Sequence, residues 1–221
     1  MAREKKLIVV GVLHDVDHPS YGEILTWIRK NVRRGMKIGI ESAPYTPIVS
    51  PPASGVITPS HVLGEYADSK RFYSAHPTHK FFLDVIDALV KKKAEVVPVG
   101  IDPNILIQAQ NLDEVLKGQQ ILDNDRLLET GRLRELFSIT QTHHMLKSSL
   151  EHDVDVMIVG LAHAAHIEQH CKDWVNVVPA VEDEHWDYQK ELRSLVFDKF
   201  LNEEDRLKVK GMFKSLKKSK G

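Results

Sequence analysis

The sequence predicts an α/β fold: a three-layer domain with a central, mainly parallel sheet of about five strands and helices on both faces. Short β-branched runs, LIVVGVL, KIGI, EVVPVGI, DVMIVGL and WVNVVPAV, alternate along the chain with longer stretches of helical spacing. These runs are apolar at nearly every position instead of every second one, which is how strands covered on both faces read. The 221 residues, 42% of them hydrophobic and 28% charged, are enough for one sizeable core of ordinary globular composition.

Leu7–Leu13 is the first strand. Pro19-Ser20 supplies the turn into a helix over Tyr21–Val32, whose Ile24, Leu25, Ile28 and Val32 fall on one face. Arg34-Gly35 stops that helix, and Lys37–Ile40 is a second strand ending at Glu41. Five of the ten prolines then fall in residues 43–60, where neither a helix nor a central strand continues; the stretch reads as a lid or binding loop, or as a disordered insertion. His61–Phe72 and His79–Lys92 read as helices, the second with Phe82, Val85, Ile86 and Leu89 as a core-facing stripe. Glu95–Ile101 is a third strand closing on Asp102, with Pro98 suggesting an edge position. Asn104–Met145 is mostly helical with breaks near Gly118 and Gly131, and Leu136–Leu150 leads into the fourth strand, Asp155–Leu161. The fifth strand is Trp174–Val181, and helices over Trp186–Leu201 and Glu203–Leu216 close the chain. Residues 1–202 read as a single domain and 203–221 as a basic C-terminal helix or tail.

A net charge of −1 argues against whole-protein attraction to nucleic acid or to an anionic membrane. The tail is the exception, because seven Lys or Arg and no acidic residue follow Asp205. Leu207, Val209, Met212, Phe213 and Leu216 interrupt those charges and give the helix an apolar seam. It reads as a solvated helix docked by that seam, or as a surface for an acidic partner; nucleic acid is disfavoured because no second basic segment supports it. The single cysteine, Cys171, excludes an internal disulfide and fits a reducing compartment. No apolar run approaches the ~18 residues of a membrane span, and no cleavable leader is legible, so the sequence points to a cytoplasmic protein with a homo-oligomer left open.

Chemistry is expected past the carboxyl ends of the strands, where open α/β sheets bind ligands. Two of those ends carry the same spacing: Gly11-Val12-Leu13-His14 and Gly160-Leu161-Ala162-His163. A glycine three residues ahead of each histidine lets backbone pack closely or bend where the strand meets the crevice. Two neutral imidazoles and one carboxylate make a three-ligand site with an open position, as in catalytic metal centres, so His14, Glu41 and His163 are the candidate ligands of a divalent metal of the Mn, Co or Zn class. Each imidazole then needs a partner for its other nitrogen, and Asp15, Asp102 and Glu182-Asp183 are the carboxylates nearest by strand order. Glu41 and Asp102 are the candidate catalytic carboxylates, with Asp102 as the base that orients a water. A local alternative is the face His163, His166 and His170, spaced i, i+3 and i+7 on one helix. Other chemistries lack their motifs: there is no G-x-G-x-x-G, P-loop, G-x-S-x-G or C-x-x-C.

The paired G-x-x-H motifs, with Ile38-Gly39-Ile40-Glu41 between them, resemble the TraB/Tiki superfamily, whose relatives include erythromycin-esterase and ChaN-like haem-uptake proteins. The resemblance spans roughly residues 7–170. It implies an α/β domain with metal-dependent hydrolase or peptidase activity in one branch and haem binding or pheromone processing in others. Where the family carries an arginine shortly after the glutamate, this chain has Ser42-Ala43-Pro44. The nearest counterparts of its Arg-Asn or Arg-Asp pair are Arg134-Glu135 and, in reverse order, Asp125-Arg126. The expected activity is therefore a metal-dependent hydrolase acting on a peptide or a small molecule. The alternative is a non-catalytic protein holding haem or a metal ion in the same crevice.

Overall fold

The computed structural model describes residues 6–41, 77–100 and 124–219. The proline-rich stretch 43–60, the helix expected over His61–Phe72 and Asp102 lie outside the described residues.

Five strands form one all-parallel sheet: β1 Leu7–Val12, β2 Lys37–Ile40, β3 Glu95–Pro98, β4 Val156–Gly160 and β5 Val175–Pro179. Their spatial order is β3-β2-β4-β1-β5, so β3, the strand with Pro98 at its end, does lie at an edge. The described helices are α1 Tyr21–Asn31, α2 Pro77–Lys91, α3 Asn124–Glu151, α4 Leu161–Cys171, α5 Asp183–Phe200 and α6 Glu203–Ser219. No described helix is long and apolar enough to cross a membrane.

The strand sequences divide between two cores because successive side chains point to opposite faces. Ile8, Val10 and Val12 of β1, with Val156 and Ile158 of β4, pack against Ile24 and Ile28 of α1 and Phe81, Phe82, Val85 and Leu89 of α2. Leu7, Val9, Met157 and Val159 face the other way, onto Ile139, Met145 and Leu146 of α3, Ala164 and Ile167 of α4 and Phe197 of α5. Each fully buried Val, Ile or Leu contributes about 1.5–3 kcal/mol, which is why the strands are apolar on both faces.

Two expectations about the helices need correction. α3 runs unbroken through Gly131; Phe200 of α5 lies against that glycine, where an added Cβ would collide with its ring, so the glycine accommodates a neighbour and does not end the helix. In α6, Val209, Phe213 and Leu216 are buried in the core shared with α3, α4 and α5, whereas Leu207, assigned to the same seam, is largely exposed. The apolar seam is thus narrower than the sequence suggested.

Candidate functional site

Strand order determines which strand ends become neighbours. β4 lies between β2 and β1, so the residues that follow β1, β2 and β4 meet at the middle of the carboxyl edge. The chain leaves β1 through α1 toward β2 on one side, and leaves β4 through α4 toward β5 on the other. Adjacent strands whose connections depart in opposite directions define the crevice where such sheets bind ligands. His14 and His163 flank that crevice.

Glu41 occupies its centre. Its backbone N–H donates to the Ile158 carbonyl at 3.0 Å, and its Oε2 accepts the Gly160 N–H at 2.7 Å. The carboxylate is thereby fixed against β4 and only 8% exposed. From one side His14 Nε2 approaches Oε2 at 3.7 Å, and from the other His163 Nε2 approaches Oε1 at 3.5 Å. The three residues singled out from the sequence are brought together.

Their surroundings differ. His14 packs its ring against Phe81 and Phe82, with centroids 5.4 and 4.6 Å away, and its Nε2 is buried without a hydrogen-bond partner. Burial lowers its pKa, the nearby Glu41 carboxylate pulls the other way, and repulsion from His163 adds to the lowering. His163 is the third residue of α4, and its Nδ1 lies 2.7 Å from the Thr142 hydroxyl of α3. That hydroxyl in turn donates to the Ser138 carbonyl at 2.8 Å.

The two motif glycines have unlike roles. Gly160 is bare because His14 and Glu41 fill the space: a Cβ there would lie 3.1 Å from His14 Cε1 and 3.5 Å from Glu41 Oε2. Gly11 is bare because α4 crosses it closely, and a Cβ would lie 2.8 Å from the Cβ of Ala164. β1 and β4 pair with Gly11 beside Val159 and Val12 beside Gly160, which turns the two glycines to opposite faces of the sheet.

Other candidates fall elsewhere. The helix-face trio disperses: His166 is fully buried, with Nε2 3.5 Å from Glu135 Oε1 and 3.4 Å from Ser138 Oγ, while His170 stacks on Phe213 with ring centroids 4.9 Å apart. His143 packs edge-on against the same Phe213 ring. None of the carboxylates expected to orient the imidazoles does so among the described residues. Asp15 Oδ1 accepts the Asp17 N–H, Glu182 lies 3.6 Å from His185 Nδ1, and the partner of His163 is a hydroxyl. Burial raises the pKa of Cys171 to about 12, as befits a packing residue.

Sequence reasoning missed Thr142 and Ser138. Their signal was the stretch SITQT inside α3, since hydroxyl residues are weak helix formers in a helix interior unless they bond something there. Glu135 sits behind His166, 2% exposed, and accepts a hydrogen bond from Arg193 Nη1 at 3.2 Å. Burial raises its pKa and Arg193 opposes that rise.

Among the described residues no group of three or more His, Cys, Asp or Glu is placed so that it could hold a metal ion as it stands. Ligands 2.0–2.2 Å from a tetrahedral ion stand about 3.3–3.6 Å apart, against the observed 3.5 and 3.7 Å. Two imidazoles and a carboxylate are donor types that a divalent cation of this class takes, and here the imidazoles lie against different oxygens of Glu41. No family model, curated protein or solved structure matches the chain.

Proposed function

We propose that the protein is a TraB/Tiki-like metal-dependent hydrolase whose divalent ion, of the Mn, Co or Zn class, is held by His14, Glu41 and His163. The observation that supports this best is the convergence of two imidazole Nε2 atoms on the two oxygens of one buried carboxylate. Both contacts, at 3.5 and 3.7 Å, are longer than the 2.7–3.2 Å of an N–H···O hydrogen bond. The His14 nitrogen, moreover, is buried and unpartnered, and a buried polar atom costs about 1–3 kcal/mol unless something pairs with it. A cation satisfies all three groups at once.

A divalent ion in that position supplies Lewis acidity, polarising a carbonyl and acidifying a water. The chain's own residues do the rest. Gly160 N–H holds Glu41 Oε2, leaving Oε1 on the His163 side. Phe81 and Phe82 restrict the His14 ring to one wall of the crevice. Asp102, which lies outside the described residues, is the candidate base that orients the water, and the substrate class is a peptide or a small molecule.

Non-catalytic haem binding fits less well, because an axial imidazole needs open space before its Nε2, and both imidazoles face a carboxylate. Calorimetric titration with Zn2+, Mn2+ and Co2+, together with elemental analysis, tests the proposal. Wild type should bind one ion, and His14→Ala, Glu41→Gln and His163→Ala should each lose it while melting cooperatively. Chelator-sensitive cleavage of a peptide library then tests the hydrolase assignment. A wild-type protein that binds haem with a Soret shift but takes up none of the three ions would overturn it.

A further inference from the structure

Thr142 lies on the far side of His163 from the proposed ion and has no contact with Glu41 or His14 among those described. It spans the packed pair α3 and α4, the first supplying the hydroxyl and the second the imidazole. We infer that Thr142 is a positioning residue that locks His163 in the Nδ1–H tautomer, so that the bare Nε2 is the nitrogen presented to the crevice. The inference rests on the metal-site reading for its purpose, but not for its geometry.

The assignment follows from counting protons. A threonine hydroxyl has one hydrogen and two lone pairs. Its hydrogen goes to the Ser138 carbonyl four residues earlier, at 2.8 Å, the usual back-bond of a threonine inside a helix. Only lone pairs remain toward His163 Nδ1 at 2.7 Å, so Nδ1 must carry the proton and donate it. A neutral imidazole with Nδ1 protonated has an unprotonated Nε2, the form that ligates a metal.

The opposite tautomer loses more beside Thr142 than it gains beside Glu41. The Thr142 hydrogen would turn to Nδ1 and abandon the Ser138 carbonyl, inside a helix interface where Thr142 is fully buried. An Nε2 proton would then face Glu41 Oε1 across 3.5 Å, outside ordinary hydrogen-bond length. Two good bonds would be exchanged for one good bond and one poor one.

The neighbouring rung of the same interface shows that the arrangement is particular to this pair. Ser138 Oγ approaches His166 Nε2 at 3.4 Å, and Glu135 Oε1 approaches the same nitrogen at 3.5 Å. His166 Nδ1 has no partner, so no single tautomer is imposed on that ring. Nor does the α3–α4 interface form a proton wire, since the Thr142 bond ends on a backbone carbonyl, which has no proton to pass on. The role of Thr142 is orientation.

Long-range 1H–15N spectra of the metal-free protein at neutral to mildly alkaline pH test this directly, with the His163 signals assigned by their loss in His163→Gln. In wild type, Nδ1 should resonate as a protonated nitrogen and Nε2 as a bare one. In Thr142→Val, which keeps the shape and removes the hydroxyl, the two shifts should move toward each other as the tautomers mix, and Thr142→Ser should restore the wild-type pattern. Affinity for Zn2+ should fall about 10- to 100-fold in the valine variant, the usual effect of removing a group that orients a ligand, and recover in the serine variant.

A wild-type spectrum with Nε2 protonated would overturn the inference without any variant having to fold. An unchanged tautomer in Thr142→Val would overturn it as well. If wild type shows the Nδ1–H tautomer yet binds none of the three ions, the metal reading fails and the tautomer lock stands.

Discussion

Alanine at the two motif glycines should have opposite consequences, although the motifs read alike. In Gly11→Ala the new Cβ would lie 2.8 Å from the Cβ of Ala164 and 3.2 Å from Leu161 Cδ2, where carbon atoms prefer 3.5–4.0 Å. The Ala164 Cβ is fixed to the α4 backbone, so β1 and α4 must move apart by roughly 0.7–1 Å. Overpacking of this kind costs about 1–3 kcal/mol, offset by about 0.4–1 kcal/mol from the stiffer unfolded chain. The expected net loss is about 1–2 kcal/mol, a fall in Tm of roughly 2–8 °C for a chain of this size. In Gly160→Ala the backbone is already compatible, at φ −58° and ψ 149°, and the closest atom is the edge of the His14 ring at 3.1 Å. That ring can swing a few tenths of an ångström, so stability should change by less than about 0.5 kcal/mol. Metal–ligand distances tolerate only about ±0.2 Å, and affinity for Zn2+ should fall about tenfold or more. Denaturant melts and calorimetric titration of both variants are sufficient. A destabilised Gly160→Ala with full Zn2+ affinity, or a Gly11→Ala as stable as wild type, would refute the division of roles.

Acid should loosen the packing of α6 against α3 and α4. Burial and Lys210 push His170 down to about 4, and burial is the largest cause of the lowering at His143, with Lys147 and His144 adding to it and a hydrogen bond to the Met212 backbone opposing it. An unfolded histidine titrates near 6.5, so the unfolded state binds more protons as pH falls from about 6.5 to 4. Stability should therefore be full above about pH 6.5, fall by roughly 1–3 kcal/mol on the way down to pH 4, and fall less in His170→Phe; denaturant midpoints across that range measure it. Glu135→Ala removes the acceptor of the partly buried Arg193 and the carboxylate beside the buried His166 and should cost about 2–4 kcal/mol by chemical denaturation, with Glu135→Gln milder. Deleting residues 206–221 should abolish the cooperative melt followed by near-ultraviolet circular dichroism, because Val209, Phe213 and Leu216 are core residues; an intact melt would return the segment to the status of a tail.

The layered α/β fold was legible because hydrophobic period is a local property: β-branched runs closed by charged or glycine residues have few other ways to hide both faces. The three candidate ligands were legible as chemistry for a related reason, since His14, Glu41 and His163 are polar residues at the ends of apolar runs. Strand order was not legible. Placing β4 between β2 and β1 depends on how side chains distant in sequence fill two cores, and that adjacency puts the three residues at one crevice. The same holds for the glycines, whose identical spacing concealed the opposite faces set by the register of Gly11 beside Val159 and Val12 beside Gly160. Thr142 was hidden for the plainest reason. A hydroxyl inside a helix carries no functional signal in one dimension, and it becomes the partner of His163 only when α3 packs across α4, 21 residues away in the chain and 2.7 Å away in space.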